Sequence, residues 1–292
     1  MDDQFEYVNC AICGKDDTEV FMRGTGADQI VRCRNDGLLY RNPRIRSTRV
    51  RQFFHADYVR DDNLDMFTLF RREALRREAH TIKSIKAGGN LLDIGCATGT
   101  FFENFIGPTW HLYGVETSPL GVELAGSRYG AEVFCGTLQE AGYPSAFFDV
   151  VTVLDTLFYI PDPRSELMEI RRVLKDDGLL AIEIPSLAYQ LLREKGPLCW
   201  LLDRKWVRGF AYPWNLYFFS QDTLRLLLKT VGFEVVNVIP EPAPLGRQKV
   251  VCKLGNLHFA LARLLFNATA GRFSIVAKEL YLAKKLVTHF LE

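Results

Sequence analysis

The sequence predicts a doubly wound α/β domain on a mostly parallel, seven-stranded sheet, preceded by a small cysteine-bearing segment. Three observations lead there. From Asn90 onward, short runs apolar on both faces alternate with amphipathic stretches, as strands of a parallel sheet covered on both sides must. A glycine-containing loop, Gly95 to Gly99, falls where the first strand meets the first helix. Near the start of the chain, Cys10-Ala11-Ile12-Cys13 has the spacing of a metal knuckle.

The elements follow in order. Residues 1–43 form the cysteine-bearing segment, and 44–89 a helical cap or linker whose helix runs from Asp65 to Ile85, with Phe67, Phe70, Ala74, Leu75 and Ile82 at helical spacing. Gly88-Gly89 breaks the chain before the α/β domain, residues 90–292. Its strands are Leu91–Ile94, Leu112–Glu116, Val133–Phe134, Asp149–Leu154, Leu179–Ile184, Phe233–Ile239 and Lys278–Ala283, the last a candidate for antiparallel pairing. Thr98–Phe105 reads as the first helix, Ser118-Pro119 caps the second, Pro163–Leu174 and Gln221–Val231 are later ones, and Lys175-Asp176-Asp177-Gly178 is a turn. Inserts are expected at 186–219, rich in Leu, Trp and Tyr, and at 240–273, with a helix around Leu257–Phe266.

A net charge of +1 gives no reason to expect nucleic acid or an acidic membrane as partner. The arginine-rich stretch Arg41–Arg77 reads as a solvated face ahead of an anionic-substrate patch. No apolar run approaches the ~20 residues of a membrane span, so no stable membrane insertion is expected. The opening residues lack a basic-then-apolar leader and the seven cysteines are odd in number, so free thiols or metal ligands in the cytoplasm are expected. Cys96, Cys135, Cys199 and Cys252 read as buried thiols. The Leu257–Phe266 helix should pack on its own sheet, a homodimer contact or lipid contact being the alternatives.

Leu92-Asp93-Ile94-Gly95-Cys96-Ala97-Thr98-Gly99 is the most informative stretch. Its glycines allow a tight turn and close ligand approach. Glu116 ends the second strand, followed by Thr117, where a carboxylate can accept both hydroxyls of a ribose. A dinucleotide loop wants glycine where Ala97 stands, and Asp93 would sit poorly beside a pyrophosphate. The acid suits a cationic ammonium instead, so the electrostatics favour S-adenosylmethionine.

At these residues the chain resembles the class I S-adenosylmethionine-dependent methyltransferases, strongly over Asn90–Pro185 and in outline to Ile239. Phe148-Asp149-Val150-Val151, Ile160-Pro161-Asp162-Pro163, Val173 to Gly178 and Leu216 to Ser220 follow as further landmarks in the right order. The resemblance implies the Rossmann-like methyltransferase fold. It also implies Asp93, Gly95, Cys96 and Gly99 near the methionine end, Glu116 and Thr117 at the ribose, Thr137 and Leu138 by the adenine, and Asp155 and Thr156 under the methyl donor.

Cys10, Cys13, Cys33 and Asp36 form a degenerate zinc ribbon, Asp36 standing where a fourth cysteine is usual in such methyltransferases. Structural zinc and a site that has lost its metal are equally balanced readings. Candidate catalytic residues are Glu183, His55 and Tyr159; many relatives have a histidine at the last position, and tyrosine is a poor base at neutral pH. The expected function is methyl transfer to a small molecule: a sugar, isoprenoid or secondary-metabolite hydroxyl or carbon. A nicotinamide-dependent oxidoreductase or epimerase and a cofactor-binding scaffold without catalysis are the alternatives.

Overall fold

The computed structural model describes residues 4–24, 29–59, 71–195, 210, 212–242, 249–269, 271 and 274–286. Phe67, Phe70, Cys199, Trp200, Trp206 and His289 lie outside the described residues, as does the side chain of Cys252.

Seven strands form the central sheet: β1 (Gly89–Ile94), β2 (Trp110–Glu116), β3 (Glu132–Cys135), β4 (Phe148–Leu154), β5 (Leu174–Pro185), β6 (Phe233–Glu241) and β7 (Lys278–Lys285). Their order is β6-β7-β5-β4-β1-β2-β3. The five strands β1 to β5 pair in parallel, while β7 runs antiparallel to both β5 and β6. The doubly wound, mostly parallel sheet is therefore the one expected, including the reversed last strand.

The two-sided apolar runs are explained by what covers them. Leu91, Val150, Leu179 and Leu280 pack on Leu75, Ala79 and Ile82 of the helix Arg72–Ile85 and on Phe101, Phe102 and Phe105. Their neighbours Leu92, Val151, Leu180 and Ile182 face the other way, onto Leu167 and Ile170 of the helix Pro163–Val173 and Leu224 and Leu227 of Gln221–Thr230. Alternate residues of each strand thus feed two cores.

Local chemistry sets the ends. Ser118 Oγ accepts the Gly121 amide hydrogen at 3.3 Å, with Pro119 at the first turn, and Asp162 accepts from the Ser165 amide at 3.0 Å ahead of Pro163. Three expectations shift. Gly99, at φ +73°, delays the first helix, which is a 3-10 helix over Thr100–Phe105. Lys175 to Gly178 do not interrupt β5 but form an irregularity in its register between Leu174 and Leu179. Cys135 is exposed rather than buried, because β3 is the sheet's edge.

The N-terminal residues form a four-stranded antiparallel sheet in the order Thr18–Arg23, Gln29–Cys33, Leu39–Arg41 and Tyr217–Phe218. A strand from the insert after β5 therefore completes it. Of the arginine-rich stretch, Arg46, Arg49, Arg51, Arg72, Arg76 and Arg77 are exposed, as a solvated face requires, but two others are buried. Arg41, 2% exposed, donates to the carbonyls of Asn215, Phe210 and Tyr212 at 2.9, 2.5 and 3.1 Å. Arg44, also buried, donates to Glu6, the Pro161 carbonyl and the Tyr217 hydroxyl at 2.9, 2.7 and 2.9 Å. Both satisfy loop carbonyls beyond the reach of any ladder. The helix around Leu257 extends over Lys249–Ala268; it buries Ala262 and Phe266 but exposes Leu257, Leu261 and Leu264. Among the described residues, no helix is long and apolar enough to cross a membrane.

Candidate active site

Strand order reverses between β4 and β1, and a crevice opens there at the carboxyl ends of the strands. It holds a cavity of about 770 Å³, within the range of small-molecule sites. One end is lined by Gly95, Ala97, Glu116, Thr117, Thr137 and Leu138, and the other by Arg71, Asp155, Tyr159, Tyr189, Asn215 and Lys278.

The first end is built from the glycine loop and the end of β2. Gly95 has φ +70°, and a Cβ there would stand 2.5 Å from the Thr156 methyl group. The loop and strand are locked through Glu116, which accepts hydrogen bonds from the Ala97 and Ser118 amides, both at 2.8 Å. Burial pushes the Glu116 carboxyl up, against those amides, which favour its charge. Thr137 caps the short helix Leu138–Ala141 through a reciprocal pair with Glu140. Glu140 also pairs with Arg51 at 2.8 Å, tying in the helix Ser47–Phe53, whose Ser47, Thr48 and Val50 line the outer wall.

Asp93, Cys96 and Gly99 stand behind this end rather than among its lining residues. Asp93 is 4% exposed, accepts from the Thr152 hydroxyl at 2.6 Å, and is pushed up to about 7 by burial. Gly99 is needed for packing, since a Cβ there would lie 2.6 Å from that of Ala125.

The second end carries an ionic cluster that the sequence did not announce. Arg71 reaches Asp155 at 3.3 Å and Glu183 at 2.5 Å. Lys278 pairs with Asp155 and, at 3.1 Å, with Glu183. Asp155 sits at φ +55°, a conformation non-glycine residues rarely hold. Burial works against its charge, but the two cations hold its carboxyl below the usual range. Glu183 is fully buried and lies behind Arg71 and Lys278 instead of lining the cavity.

Of the other catalytic candidates, Tyr159 lines the cavity and His55 does not; His55 is exposed. Tyr159 packs against Phe54, Tyr58 and Tyr212 with ring centroids 5.0, 6.4 and 6.4 Å apart, and Trp214 stacks on Phe53 at 4.2 Å. Burial drives the Tyr159 and Tyr58 hydroxyls upward, away from any role as a base at neutral pH. Sequence reasoning missed Lys278 and Glu78 outright. Arg71 had a signal, since it lies in the arginine-rich stretch.

Away from the cavity, one ligand atom from each of Cys10, Cys13, Cys33 and Asp36 lies within 4.8 Å of the others. Cys10 Sγ is 3.1 Å from Asp36 Oδ2, and Cys13 Sγ is 3.5 Å from Cys33 Sγ. Burial raises the Cys10 and Cys13 thiols; it opposes the Asp36 charge too, yet the Leu38 amide and the thiols hold that carboxyl low.

The chain is 28% identical over 138 residues to the O-methyltransferase resE of Aspergillus sclerotiorum, covering 44% of this chain and 52% of that protein. It is 26% identical over 194 residues to the O-methyltransferase cnsE of Penicillium expansum, covering 64% and 67%. The chain thus spans about half to two thirds of these relatives' lengths. Among solved structures, a SAM-dependent methyltransferase from Thermotoga maritima superposes with a TM-score of 0.53 at 22% identity, covering 77% of this chain and 94% of the other. The [4+2]-cyclase SpnF superposes with a TM-score of 0.51 at 20% identity, covering 74% and 82%. Both show the fold. Residues 66–238, more than half of the chain, match the family model described as a methyltransferase domain, and the chain belongs to that family.

Proposed function

We propose that this chain transfers a methyl group from S-adenosylmethionine to an oxygen of a small-molecule acceptor. The observation that carries the reading is the two-ended cavity at the switch point, with Glu116 and the glycine loop at one end and an aromatic and ionic chamber at the other. The names of the relatives, both O-methyltransferases, favour oxygen as the atom methylated.

The residues fit the cofactor. Gly95 brings bare backbone to the cavity wall, and Glu116 Oε2, which accepts from the Ala97 amide alone, keeps a lone pair for a ribose hydroxyl, while Oε1 accepts from the Ser118 amide and the Thr117 hydroxyl. Thr137 and Leu138 would flank the adenine. Thr156, with the carboxylate of Asp155, would lie under the methyl donor. Asp93, Cys96 and Gly99 would shape the loop from behind. When bound, S-adenosylmethionine supplies an electrophilic methyl group on a sulfonium.

The chain's own task is then to align the acceptor and keep water out. Alignment alone can supply several orders of magnitude in rate. Tyr58, Tyr159 and Phe54 offer an apolar wall for a flat or hydrophobic acceptor, and Arg71 and Lys278 offer cations that would favour an acceptor oxygen entering already deprotonated, its proton left in solvent. Tyr159 shapes this chamber rather than acting as base, and Glu183 acts through the two cations. His55 faces solvent, which leaves it without an acid–base role at the cavity.

The same proposal includes structural zinc on Cys10, Cys13, Cys33 and Asp36. Tetrahedral thiolate ligands at ~2.3 Å from zinc stand about 3.8 Å apart, and the four ligand atoms already lie within 4.8 Å of one another. A cytoplasmic location belongs to this reading, supported by the free cysteines among the described residues.

Isothermal titration with S-adenosylhomocysteine, with NAD as control, tests the cofactor assignment. Micromolar binding of the former alone, lost in Glu116→Ala, is expected. Binding of NAD, or of neither ligand by folded protein, overturns it. Metal analysis of the purified chain should find about one zinc per chain, lost in Cys13→Ser; a metal-free, equally stable chain overturns that part.

A further inference from the structure

Behind the ionic end of the cavity lies a second carboxyl group, Glu78, on the helix Arg72–Ile85. It is fully buried, and neither of its oxygens has a hydrogen-bond partner among the described residues. Glu183 is equally buried; its Oε2 meets Arg71 and Lys278, while its Oε1 is left without a partner. Glu78 stands seven residues, two helical turns, after Arg71, which meets Glu183 at 2.5 Å, so both carboxyl groups face one cluster. Two ionised carboxylates cannot satisfy one another, since each only accepts. A single proton between them supplies the missing donor and removes one of two like charges from a site shut off from solvent.

We propose that Glu78 and Glu183 share one proton, Glu78 donating its hydroxyl hydrogen to Glu183 Oε1, and that Glu78 is thereby a positioning residue for Arg71 and Lys278 at the cavity wall. The charge count supports this. The groups facing Glu78 are Arg71 at the start of its own helix, Glu183 on β5 and Lys278 on β7. With Asp155 completing the cluster, two cations meet two carboxylates when Glu78 is neutral, whereas an ionised Glu78 would leave an uncompensated buried charge. Burial and the neighbouring Glu183 both push the Glu78 carboxyl upward. The shared proton leaves Glu183 Oε2 free to hold both cations, so their direction into the cavity depends on a residue that does not itself line it.

Infrared spectra of the full chain in heavy water at about pH 8 test the proton directly. That pH lies above the values of about 7 for Asp93 and Glu166, so those two buried acids contribute little to the signal. A protonated-carboxyl carbonyl band is expected in the wild type and absent in Glu78→Gln; Glu183→Gln, which takes away one of the two compensating carboxylates, should lose it too as Glu78 ionises. No such band in the wild type, or one untouched by Glu78→Gln, overturns the proposal.

Positioning is read by affinity for S-adenosylhomocysteine, an arm that rests on the cofactor reading above. Wild-type binding separates failure of that reading from failure of this one, and the infrared arm does not depend on the cofactor reading. Glu78→Gln, whose amide still donates to Glu183, should bind within about threefold of wild type. Glu78→Leu should bind about tenfold more weakly, as expected when a buried acceptor loses its donor. Equal affinity of the Leu and Gln variants overturns the positioning role. Should Glu78→Leu fail to fold, Glu78→Met replaces it: about tenfold weaker binding than Glu78→Gln is expected, and equal affinity overturns the role.

Discussion

Replacing Asp93 by asparagine removes a buried charge while keeping the shape that holds it. Asp93 is 4% exposed, and its carboxyl accepts from the Thr152 hydroxyl at 2.6 Å, a bond that an asparagine carbonyl can also accept. Burial lifts the group from an ordinary 3.8 to about 7. At ~1.36 kcal/mol per pH unit, that displacement makes ionisation about 4 kcal/mol more costly in the folded chain than in the unfolded one. Between about pH 4 and pH 7 the unfolded chain has released this proton and the folded chain still holds it. Asp93 therefore contributes stability that is fully present below about pH 4 and is lost as pH rises through about 7. The asparagine side chain does not titrate. At about pH 8 Asp93→Asn should exceed the wild type in stability by about 2–4 kcal/mol, the lower figure allowing for an amide that lacks a full set of partners. Urea unfolding of the ligand-free protein at about pH 5 and pH 8 measures this. Parallel pH dependences in wild type and variant would refute the reasoning, because they would mean that Asp93 is solvated or already ionised in the folded state.

Other perturbations probe the loop, the cluster and the N-terminal staple. Gly95→Ala adds a Cβ at φ +70° and 2.5 Å from Thr156, so it should destabilise the chain by about 2 kcal/mol or more and weaken S-adenosylhomocysteine binding; a wild-type melting temperature would show that the loop has room to move. Lys278→Met leaves Arg71 alone to hold Asp155 and Glu183, and should cost about 3 kcal/mol in urea unfolding; no loss would mean that water screens the cluster. Arg41→Lys replaces a planar fork that satisfies three carbonyls by a single ammonium, and should cost about 2–3 kcal/mol by thermal or urea unfolding; a neutral outcome would mean that water fills the place of the fork.

Much of the fold was legible because its signals are local. Strands buried on both faces must be apolar throughout, and β1, β4 and β5 read that way without any knowledge of their partners. Ser118-Pro119 and Asp162-Pro163 declare helix starts through bonds spanning three residues. The glycine loop and Glu116 were legible for the same reason, since a strand-to-helix turn and a carboxylate at a strand end need only their own neighbourhood. Cys135 was misread because β3 looks like its neighbours in sequence, and only the sheet order makes it an edge.

By itself, then, the sequence determined the parallel sheet, the ligand-bearing crevice and the spacing of the four candidate metal ligands, all of which rest on periodicity, turn chemistry or short-range spacing. Tertiary structure alone decided where charge is buried. Arg71, Glu78, Asp155, Glu183 and Lys278 come from four separate elements, and Arg41 and Arg44 find their carbonyl partners more than a hundred residues away. A charged side chain carries no mark of its future neighbours; whether it sits in water or in a low-dielectric interior depends on which distant groups satisfy it there.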